Sequence, residues 1–360
     1  MHAKSAIQLY VTNPHKEFND NNKIDILQSK RVAILGVSGQ IGRRLLGILA
    51  NHGLPVENIT ATSQNETKVS YGTNVIETKT IDKVDFQQQD IVFNCTPTST
   101  IEKYIGTLWD SGCIVIDKSS AFRMSYEVPL VVPEVNGELI KDSRLIASPN
   151  CIVVPLVMVL NAIWAKLSNV NHISVTTYQS VSGAGNAAMD GLLEETKRTF
   201  FEQKVIPKFF EKQIAFNVIP KIGEYDSEGH ADEEVKIEQE SNKILCPIFG
   251  VEKLPMSVTC VRVPTLIGHG ISLDINCNII GGLPAVESAL LKSTSIQYSG
   301  DVNYVSITDC AYEDLVYVSR LRRTTTGIAM WIVCDNVGRG GALNGFQIAQ
   351  MACGDLDFPM

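Results

Sequence analysis

The sequence lacks a long apolar segment, an apolar N-terminus and an excess of positive charge. Its longest apolar run, at residues 152–160, contains Pro155 and is too short to cross a bilayer as a helix. Residues 1–22 contain no sustained apolar stretch, so we expect no secretory signal. The net charge is −8, so we expect neither a nucleic-acid nor a membrane partner. These absences together predict a soluble, cytoplasmic protein.

Cysteine pairs at metal-binding spacing are also missing. The nine cysteines include no Cys-x-x-Cys pair and no His/Cys ligand spacing, so no metal site is expected. Their number is odd and no signal segment is seen, which favours free thiols in a reducing cytoplasm. With 360 residues and 44% hydrophobic content, the chain is long enough for two domains.

The pattern along the chain predicts an α/β protein with two domains. Residues 31–150 alternate short apolar strands with helical or loop segments, which predicts a Rossmann-type, doubly wound parallel sheet. Residues 151–335 contain strands of alternating polarity, which predict an α+β domain with a mostly antiparallel sheet. Residues 1–30 are predicted to be an N-terminal extension. A helix within 336–360 is predicted to complete the first domain.

The first motif is a glycine-rich turn between a predicted strand and a helix. Gly36, Gly39 and Gly42 follow the apolar run 32–35. Glycines here allow the backbone to turn tightly and to approach a pyrophosphate at the helix N-terminus. The spacing alone is a weak signal, and a turn that needs glycine only for packing is the alternative. Its position in the first strand–helix unit favours dinucleotide binding.

The end of the second predicted strand bears on which dinucleotide is bound. NAD-binding proteins usually carry an acidic residue there, whereas this chain has Thr62, Ser63 and Gln64. The absence of a carboxylate removes repulsion against a 2′-phosphate, and hydroxyl and amide groups can donate hydrogen bonds to it. The sequence therefore favours NADP.

Cys151 lies at the start of a predicted apolar helix, after Ser148, Pro149 and Asn150. Pro155 is compatible only with the first turn of that helix, so the thiol is expected beside unpaired backbone N–H groups. A helix N-terminus lowers a thiol pKa, and the thiolate is the nucleophilic form. A buried cysteine that serves only packing is the alternative.

Three further sets of polar residues are candidates for the same site. Arg262 lies inside a strand-like segment, where a planar guanidinium could hold a carboxylate through two hydrogen bonds. His269, between two glycines, could transfer protons for a cysteine-dependent reaction. Glu233 and Lys236 are three residues apart and therefore share one helix face. A structural ion pair, a loop histidine and a solvated helix face are the corresponding alternatives.

Taken together, these motifs resemble the aspartate-semialdehyde dehydrogenase family over about residues 31–352. The resemblance is carried by DKSSAFR (117–123), SPNC (148–151), YQSVSGAG (178–185), EEVK (233–236), RVPTLIGH (262–269) and DNVGRGGALNGFQIA (335–349). It implies a homodimer or homotetramer with a Rossmann domain and an α+β catalytic and dimerisation domain. The implied reaction is reversible, NADP-dependent, phosphorylating oxidation of L-aspartate 4-semialdehyde to 4-phospho-L-aspartate through a cysteine thioester. Its reductive direction leads toward lysine, threonine and methionine biosynthesis.

The resemblance also implies a role for individual residues. Cys151 matches the nucleophile, His269 the acid/base and Gln179 the glutamine that orients the acyl group. Arg262 matches the arginine on the substrate carboxylate and Glu233 the acid near its ammonium. The family's phosphate-binding residues correspond to Arg123, Asn150 and Lys236. The implied NADP site comprises Gly36, Ser38, Gly39, Gln40, Ile41, Gly42, Thr62, Ser63, Gln64, Gly185 and Gln347.

The chain departs from the family pattern at three places. An arginine is often found near Gln64, Lys118 replaces a more usual asparagine, and GRGG (338–341) replaces RKGA. Two alternative functions remain: a reductase of the same architecture acting on N-acetyl-γ-glutamyl phosphate, and a non-catalytic NADP-binding paralogue. The first would not need Glu233 for a free ammonium group. The second would not need Cys151 and His269 together.

Overall fold

The first part of the chain forms a five-stranded parallel sheet. The structure is a computed structural model that describes residues 26–141, 143–300 and 303–354, so most of the predicted N-terminal extension lies outside the described residues. The sheet order is β2-β1-β5-β6-β7, and β3 and β4 form a separate hairpin. The strands are β1 (Val32–Leu35), β2 (Ile59–Thr62), β3 (Lys68–Tyr71), β4 (Asn74–Glu77), β5 (Ile91–Asn94), β6 (Ile114–Asp117) and β7 (Leu145–Ala147).

Both faces of this sheet are covered by helices, which is why its central strands are apolar except for Asn94 and Asp117 at their carboxyl ends. Every residue of β1 and β5 is buried. One face packs against α1 (Gln40–Asn51) and the C-terminal helix α8 (Asn344–Cys353), and the other packs against α2 (Thr98–Ser111). The prediction of a Rossmann-type, doubly wound parallel sheet is confirmed.

The second sheet has six strands in the order β11-β12-β13-β10-β8-β9. Three of its neighbouring pairs are antiparallel and two are parallel, so the prediction of a mostly antiparallel sheet is confirmed. The strand-like segment that contains Arg262 ends at that residue, because the backbone leaves the sheet at Pro264. The strands are β8 (Leu167–Gln179), β9 (Met256–Arg262), β10 (His269–Ile279), β11 (Ile296–Tyr298), β12 (Val316–Arg323) and β13 (Gly327–Cys334).

Helix α4 (Val153–Trp164) forms the centre of the second core. Nine of its twelve residues are buried, and they pack against residues of β8, β10 and β13. Its apolar surface on all sides is typical of a helix enclosed by other elements. The remaining helices are α3 (Pro133–Asn136), α5 (Asn186–Phe200), α6 (Asp232–Phe249) and α7 (Leu283–Leu291). Within the described ranges, no helix is both long and apolar enough to cross a bilayer.

Candidate active site

The polar side chains of the second sheet meet at one end of three adjacent strands. Gln179 is the last residue of β8, Arg262 the last of β9 and His269 the first of β10. The register pairs Gln179 with both Arg262 and His269, so the three residues lie side by side across the sheet. Strand pairing thus brings Gln179 beside two residues that lie 83 and 90 positions further along the chain.

Arg262 is almost completely buried, with 5% of its surface exposed. Its Nη1 donates to the Ser180 carbonyl at 2.7 Å, whereas Nε has no partner among the described residues. A buried guanidinium with unused donors is costly unless a ligand satisfies it. Because Arg262 also lies within electrostatic range of Cys151 and Glu233, those free donors point to an anionic ligand group.

His269 has one ring nitrogen held by the protein and one left free. Nδ1 lies 3.1 Å from both the Ser180 N–H and the Gly268 carbonyl, so it can accept from the first or donate to the second. Nε2 is buried and has no hydrogen-bond partner in the part of the chain that the structure describes. Burial and, to a smaller extent, the charge of Arg262 lower the pKa of His269 to about 3. The imidazole is therefore neutral, and Nε2 is the ring nitrogen available to a ligand.

The loop that holds His269 is fixed by Asn336, a residue that the sequence analysis did not single out. The Asn336 carboxamide oxygen accepts from the Gly268 N–H at 2.9 Å and from the hydroxyls of Ser180 and Ser182. These bonds connect the C-terminal segment to both loops around the imidazole. No spacing signal indicated Asn336, because its three partners lie 68 to 156 residues away.

Cys151 lies two residues before α4, as the position of Pro155 predicted. The predicted lowering of its pKa is wrong, because burial and, to a smaller extent, the charge of Glu233 raise the pKa of the thiol to about 12. Arg123, Lys118 and Arg262 lower the pKa but do not outweigh the desolvation. Thiolate formation therefore depends on the surrounding cations.

Asn150 and Arg123 are joined by the buried carboxylate of Glu240. Its Oε1 accepts from Arg123 Nη1 at 2.9 Å, and its Oε2 accepts from the Asn150 backbone N–H at 2.6 Å. Arg123 also donates to the carbonyls of Ser148 and Lys118. Three of the five guanidinium N–H groups are thus occupied by protein oxygens, and two remain for a ligand.

Glu240 was missed in the sequence although a signal was present. Glu233, Lys236 and Glu240 are spaced three and four residues apart in α6, which places them on one helix face. Glu233 Oε1 accepts from the Asn150 side chain at 3.0 Å, so this face meets the residues that precede Cys151. Lys236 lies one turn further along the same face and is half-buried.

The glycine turn has the form that a dinucleotide requires. Gly36 adopts a φ of +91°, and a Cβ on Gly42 would lie 2.5 Å from the Gly36 carbonyl oxygen, so both positions need glycine. Gly39 begins α1 without a side-chain cap, which leaves the first backbone N–H groups of the helix for an anion. Ser38 beside the turn is exposed, and Ile41 packs against the parallel-sheet core.

Residues from the second half of the chain reach this turn. The Gln40 side chain donates to the Asn186 side chain, and Asn186 donates to the Ser38 carbonyl at 3.1 Å. Gly185, with a φ of +91°, immediately precedes Asn186 at the start of α5. Gln347 lies in α8, where its side-chain Oε1 accepts from Arg339 Nη1 at 2.8 Å.

The expected contacts to a 2′-phosphate are only partly available. The Thr62 hydroxyl accepts from the Gly36 N–H at 3.2 Å, and the buried Ser63 hydroxyl is bonded to Thr78 and to the Asn65 carbonyl. The Ser63 hydroxyl is therefore engaged within the protein, whereas Thr62 only accepts in its contact with Gly36, which leaves the Thr62 O–H able to donate to a ligand. Gln64 is exposed, and no carboxylate replaces it.

Comparisons with known proteins agree with this geometry. Residues 31–143 match the family described as semialdehyde dehydrogenase, NAD binding domain, and residues 160–339 match semialdehyde dehydrogenase, dimerisation domain. The aspartate-semialdehyde dehydrogenase of Rickettsia bellii is 39% identical over 331 residues, which cover 89% of this chain and 96% of that protein. The enzyme of Aquifex aeolicus is 35% identical over 89% of this chain and 97% of its own length.

Solved structures show the same relationship. Aspartate semialdehyde dehydrogenase II from Vibrio cholerae superimposes with a TM-score of 0.85 and 31% identity, over 91% of this chain and 99% of that chain. The same enzyme complexed with ASA superimposes equally well. On sequence, on fold and on the two matched domains, the chain belongs to the aspartate-semialdehyde dehydrogenase family.

Proposed function

We propose that this protein catalyses the reversible, NADP-dependent, phosphorylating oxidation of L-aspartate 4-semialdehyde to 4-phospho-L-aspartate. The observation that carries the proposal is the strand register that sets Gln179 between Arg262 and His269, with Cys151 in electrostatic range of Arg262. A carboxylate ligand, a proton acceptor and a nucleophile are then available to one small substrate.

Three residues perform the oxidation in this proposal. The Cys151 thiolate adds to the aldehyde carbon and forms a hemithioacetal, whose oxygen Gln179 orients. His269 Nε2 takes the hydroxyl proton as the carbonyl re-forms, in the tautomer whose Nδ1–H donates to the Gly268 carbonyl. A bound oxidised nicotinamide supplies the hydride acceptor. The product on Cys151 is a thioester, and phosphate attack on it releases the sulfur, which is a better leaving group than an alkoxide.

The charged residues match the charges of the substrates. Arg262 is proposed to hold the α-carboxylate of the semialdehyde, and Glu233 its ammonium group. Arg123, Asn150 and Lys236 are proposed to hold phosphate through two free guanidinium N–H groups, an amide and an ammonium. The contact of Asn150 with Glu233 supports the proposal, because it joins the two subsites directly.

NADP is the proposed cofactor. The glycine turn fits a pyrophosphate, and exposed Gln64 stands where a carboxylate would repel a 2′-phosphate. The nearby Glu66 is paired with Lys83 at 2.6 Å, which reduces its repulsion of an anion. Residues 31–150 with α8 are proposed to bind the cofactor, and residues 151–335 to bind the substrate.

The protein is proposed to act as a homodimer or homotetramer. Large apolar side chains are exposed around α5 and the loop after it, namely Phe200, Phe201, Ile206, Phe209 and Phe216. Such a concentration of apolar surface is typical of an interface between subunits. Sedimentation of the purified protein tests this directly.

A direct assay of NADPH formation tests the activity. Purified protein, L-aspartate 4-semialdehyde and NADP+ should produce NADPH only when phosphate is added. The N-acetyl-γ-glutamyl aldehyde should react far more slowly, because it has no free ammonium for Glu233. Equal rates on both aldehydes, or no phosphate-dependent reaction with either, would contradict the proposal.

A further inference from the structure

Lys118 is a buried cation that no step of the proposed reaction uses. It follows β6 at the carboxyl edge of the parallel sheet, where ligands of such sheets bind, and only 8% of its surface is exposed. Its Nζ donates to the Ser148 hydroxyl at 2.6 Å. No carboxylate pairs with Lys118 in the described ranges 26–141, 143–300 and 303–354. A buried ammonium whose protein partner is neutral is expensive to maintain unless another anion compensates it.

The backbone places this ammonium next to the segment that carries Cys151. The Ser148 N–H donates to the Asp117 carbonyl at 2.8 Å, so the ends of β6 and β7 stay paired up to Lys118. The Ser148 hydroxyl is also bonded by the Asn344 side chain at 2.7 Å, which fixes the acceptor of the lysine. The lysine is therefore bound to a residue that lies three positions before Cys151 in the chain.

Asp117 and two thiols are the groups of anionic character within electrostatic range of Lys118. Asp117 is its neighbour in sequence, but that carboxylate is already bonded by the side chains of Asn94 and Ser119. Arg123 is engaged by Glu240. Cys95 and Cys151 are the thiols within electrostatic range of Lys118.

Cys151 also lies within electrostatic range of several charged side chains. They are the cations Lys118, Arg123 and Arg262 and the anion Glu233. The two arginines already have proposed ligands, the phosphate and the substrate carboxylate. Lys118 is the cation of this set without one.

We propose that Lys118 stabilises the thiolate of Cys151 and thereby sets the pH range in which the nucleophile forms. Burial lowers the pKa of Lys118 to about 8, so the ammonium is largely protonated at neutral pH and can act on the thiol there. The inference rests on the proposed role of Cys151 as nucleophile.

Alkylation of Cys151 measures this effect without requiring catalysis. Wild type, Lys118→Met, Lys118→Gln and Lys118→Arg are treated with iodoacetamide between pH 6 and 10, and Cys151 labelling is followed by peptide mass spectrometry. Iodoacetamide is uncharged, so loss of the lysine does not change the attraction of the reagent. A thermal unfolding scan of each variant verifies that it is folded.

Removing the charge should slow Cys151 alkylation at pH 7 by about threefold to tenfold, because a higher thiol pKa reduces the thiolate fraction more than it raises nucleophilicity. The Met and Gln rates should approach the wild-type rate above pH 8, where Lys118 itself loses its proton. Lys118→Arg should follow the wild-type profile below pH 8 and react faster than wild type above it, because the guanidinium keeps its charge. Ser148→Ala is the matched control, since it removes the hydrogen bond but retains the charge, and its profile should remain close to that of wild type.

An unchanged profile in the folded Met or Gln variant would overturn the inference, because a purely structural lysine would lower stability without moving the pH dependence of alkylation. The phosphate-dependent assay separates this inference from the proposed function. If the Lys118 variants shift the alkylation profile but wild type has no semialdehyde activity, the role of Lys118 is supported and the proposed function is contradicted. If wild type is fully active but the variants do not shift the profile, the proposed function is supported and the role of Lys118 is overturned.

Discussion

The backbone of Ser180 links the charged Arg262 to the neutral His269 in the proposed substrate site. Its N–H lies 3.1 Å from His269 Nδ1, while its carbonyl accepts from Arg262 at 2.7 Å. The imidazole is thereby oriented with Nε2 free, and the guanidinium is held at a fixed distance from it. A Cβ on Gly183 would lie within 3.3 Å of both groups, so the space in front of them depends on this glycine.

Replacing His269 by Asn is expected to lower kcat by about 10²- to 10⁴-fold, because the proton acceptor of the oxidation is lost. Cofactor affinity should be unchanged, since the imidazole belongs to the second sheet and not to the glycine turn. Steady-state kinetics and a fluorescence titration with NADPH measure the two quantities. A variant with wild-type kcat would exclude His269 as the acid/base.

The same substitution should change the pH dependence of stability. The pKa of His269 falls from 6.5 to about 3 on folding, so between these values the unfolded chain binds a proton that the folded protein does not. Folding is therefore penalised progressively as the pH falls below 6.5, and the penalty is absent above it. Thermal unfolding from pH 7 to pH 4 should show a smaller decrease in Tm for His269→Asn than for wild type. Parallel decreases would contradict the buried, neutral imidazole.

Gly340 is expected to tolerate no side chain, because it packs directly against Cys151, the proposed nucleophile. A Cβ there would lie 2.6 Å from the Cys151 carbonyl oxygen and 3.0 Å from its Cβ. Gly340→Ala should displace the sulfur and lower kcat by about 10²-fold. The matched control is Gly47→Ala, an exposed position in α1 where nothing lies within 4 Å of the added Cβ, which should leave kcat unchanged. Equal activity of the two variants would refute the contact.

Cofactor selectivity is predicted to depend on Gln64. Gln64→Arg introduces a cation that can form charge-assisted hydrogen bonds with a 2′-phosphate, so the preference for NADP over NAD should rise by about 10- to 100-fold. The ratio of kcat/KM for the two cofactors measures this preference in wild type and variant. An unchanged ratio would show that the 2′-phosphate lies elsewhere.

The sequence predicted the parallel sheet well because both of its faces are covered. Strands that are apolar throughout, such as Val32–Leu35, are distinctive between turns and helices. Strand β13 (Gly327–Cys334) was not predicted, although it lies in the middle of the second sheet. Seven of its eight residues are apolar, so it lacks the alternation by which its neighbours were found.

The individual site residues were predicted more completely than their contacts. Cys151, Arg262 and His269 could be selected by residue type and local position. Their surroundings could not, because strand register places Gln179 beside Arg262 and His269, and only the fold brings Cys151 within electrostatic range of Arg262. The predicted direction of the Cys151 pKa shift was wrong because the sequence indicates a helix N-terminus but does not show how far the thiol is desolvated. Lys118 was noted only as a departure, because its burial and its neutral partner become visible only in three dimensions.

The most direct test of the account is whether Cys151 carries the acyl group. Protein mixed with semialdehyde and NADP+ without phosphate should show a thioester on the peptide containing Cys151 by mass spectrometry, and phosphate should discharge it. Cys151→Ala should form neither the adduct nor NADPH, while Cys353→Ala, at another partly buried thiol, should behave as wild type. Phosphate-dependent NADPH formation that persists in Cys151→Ala would contradict the mechanism.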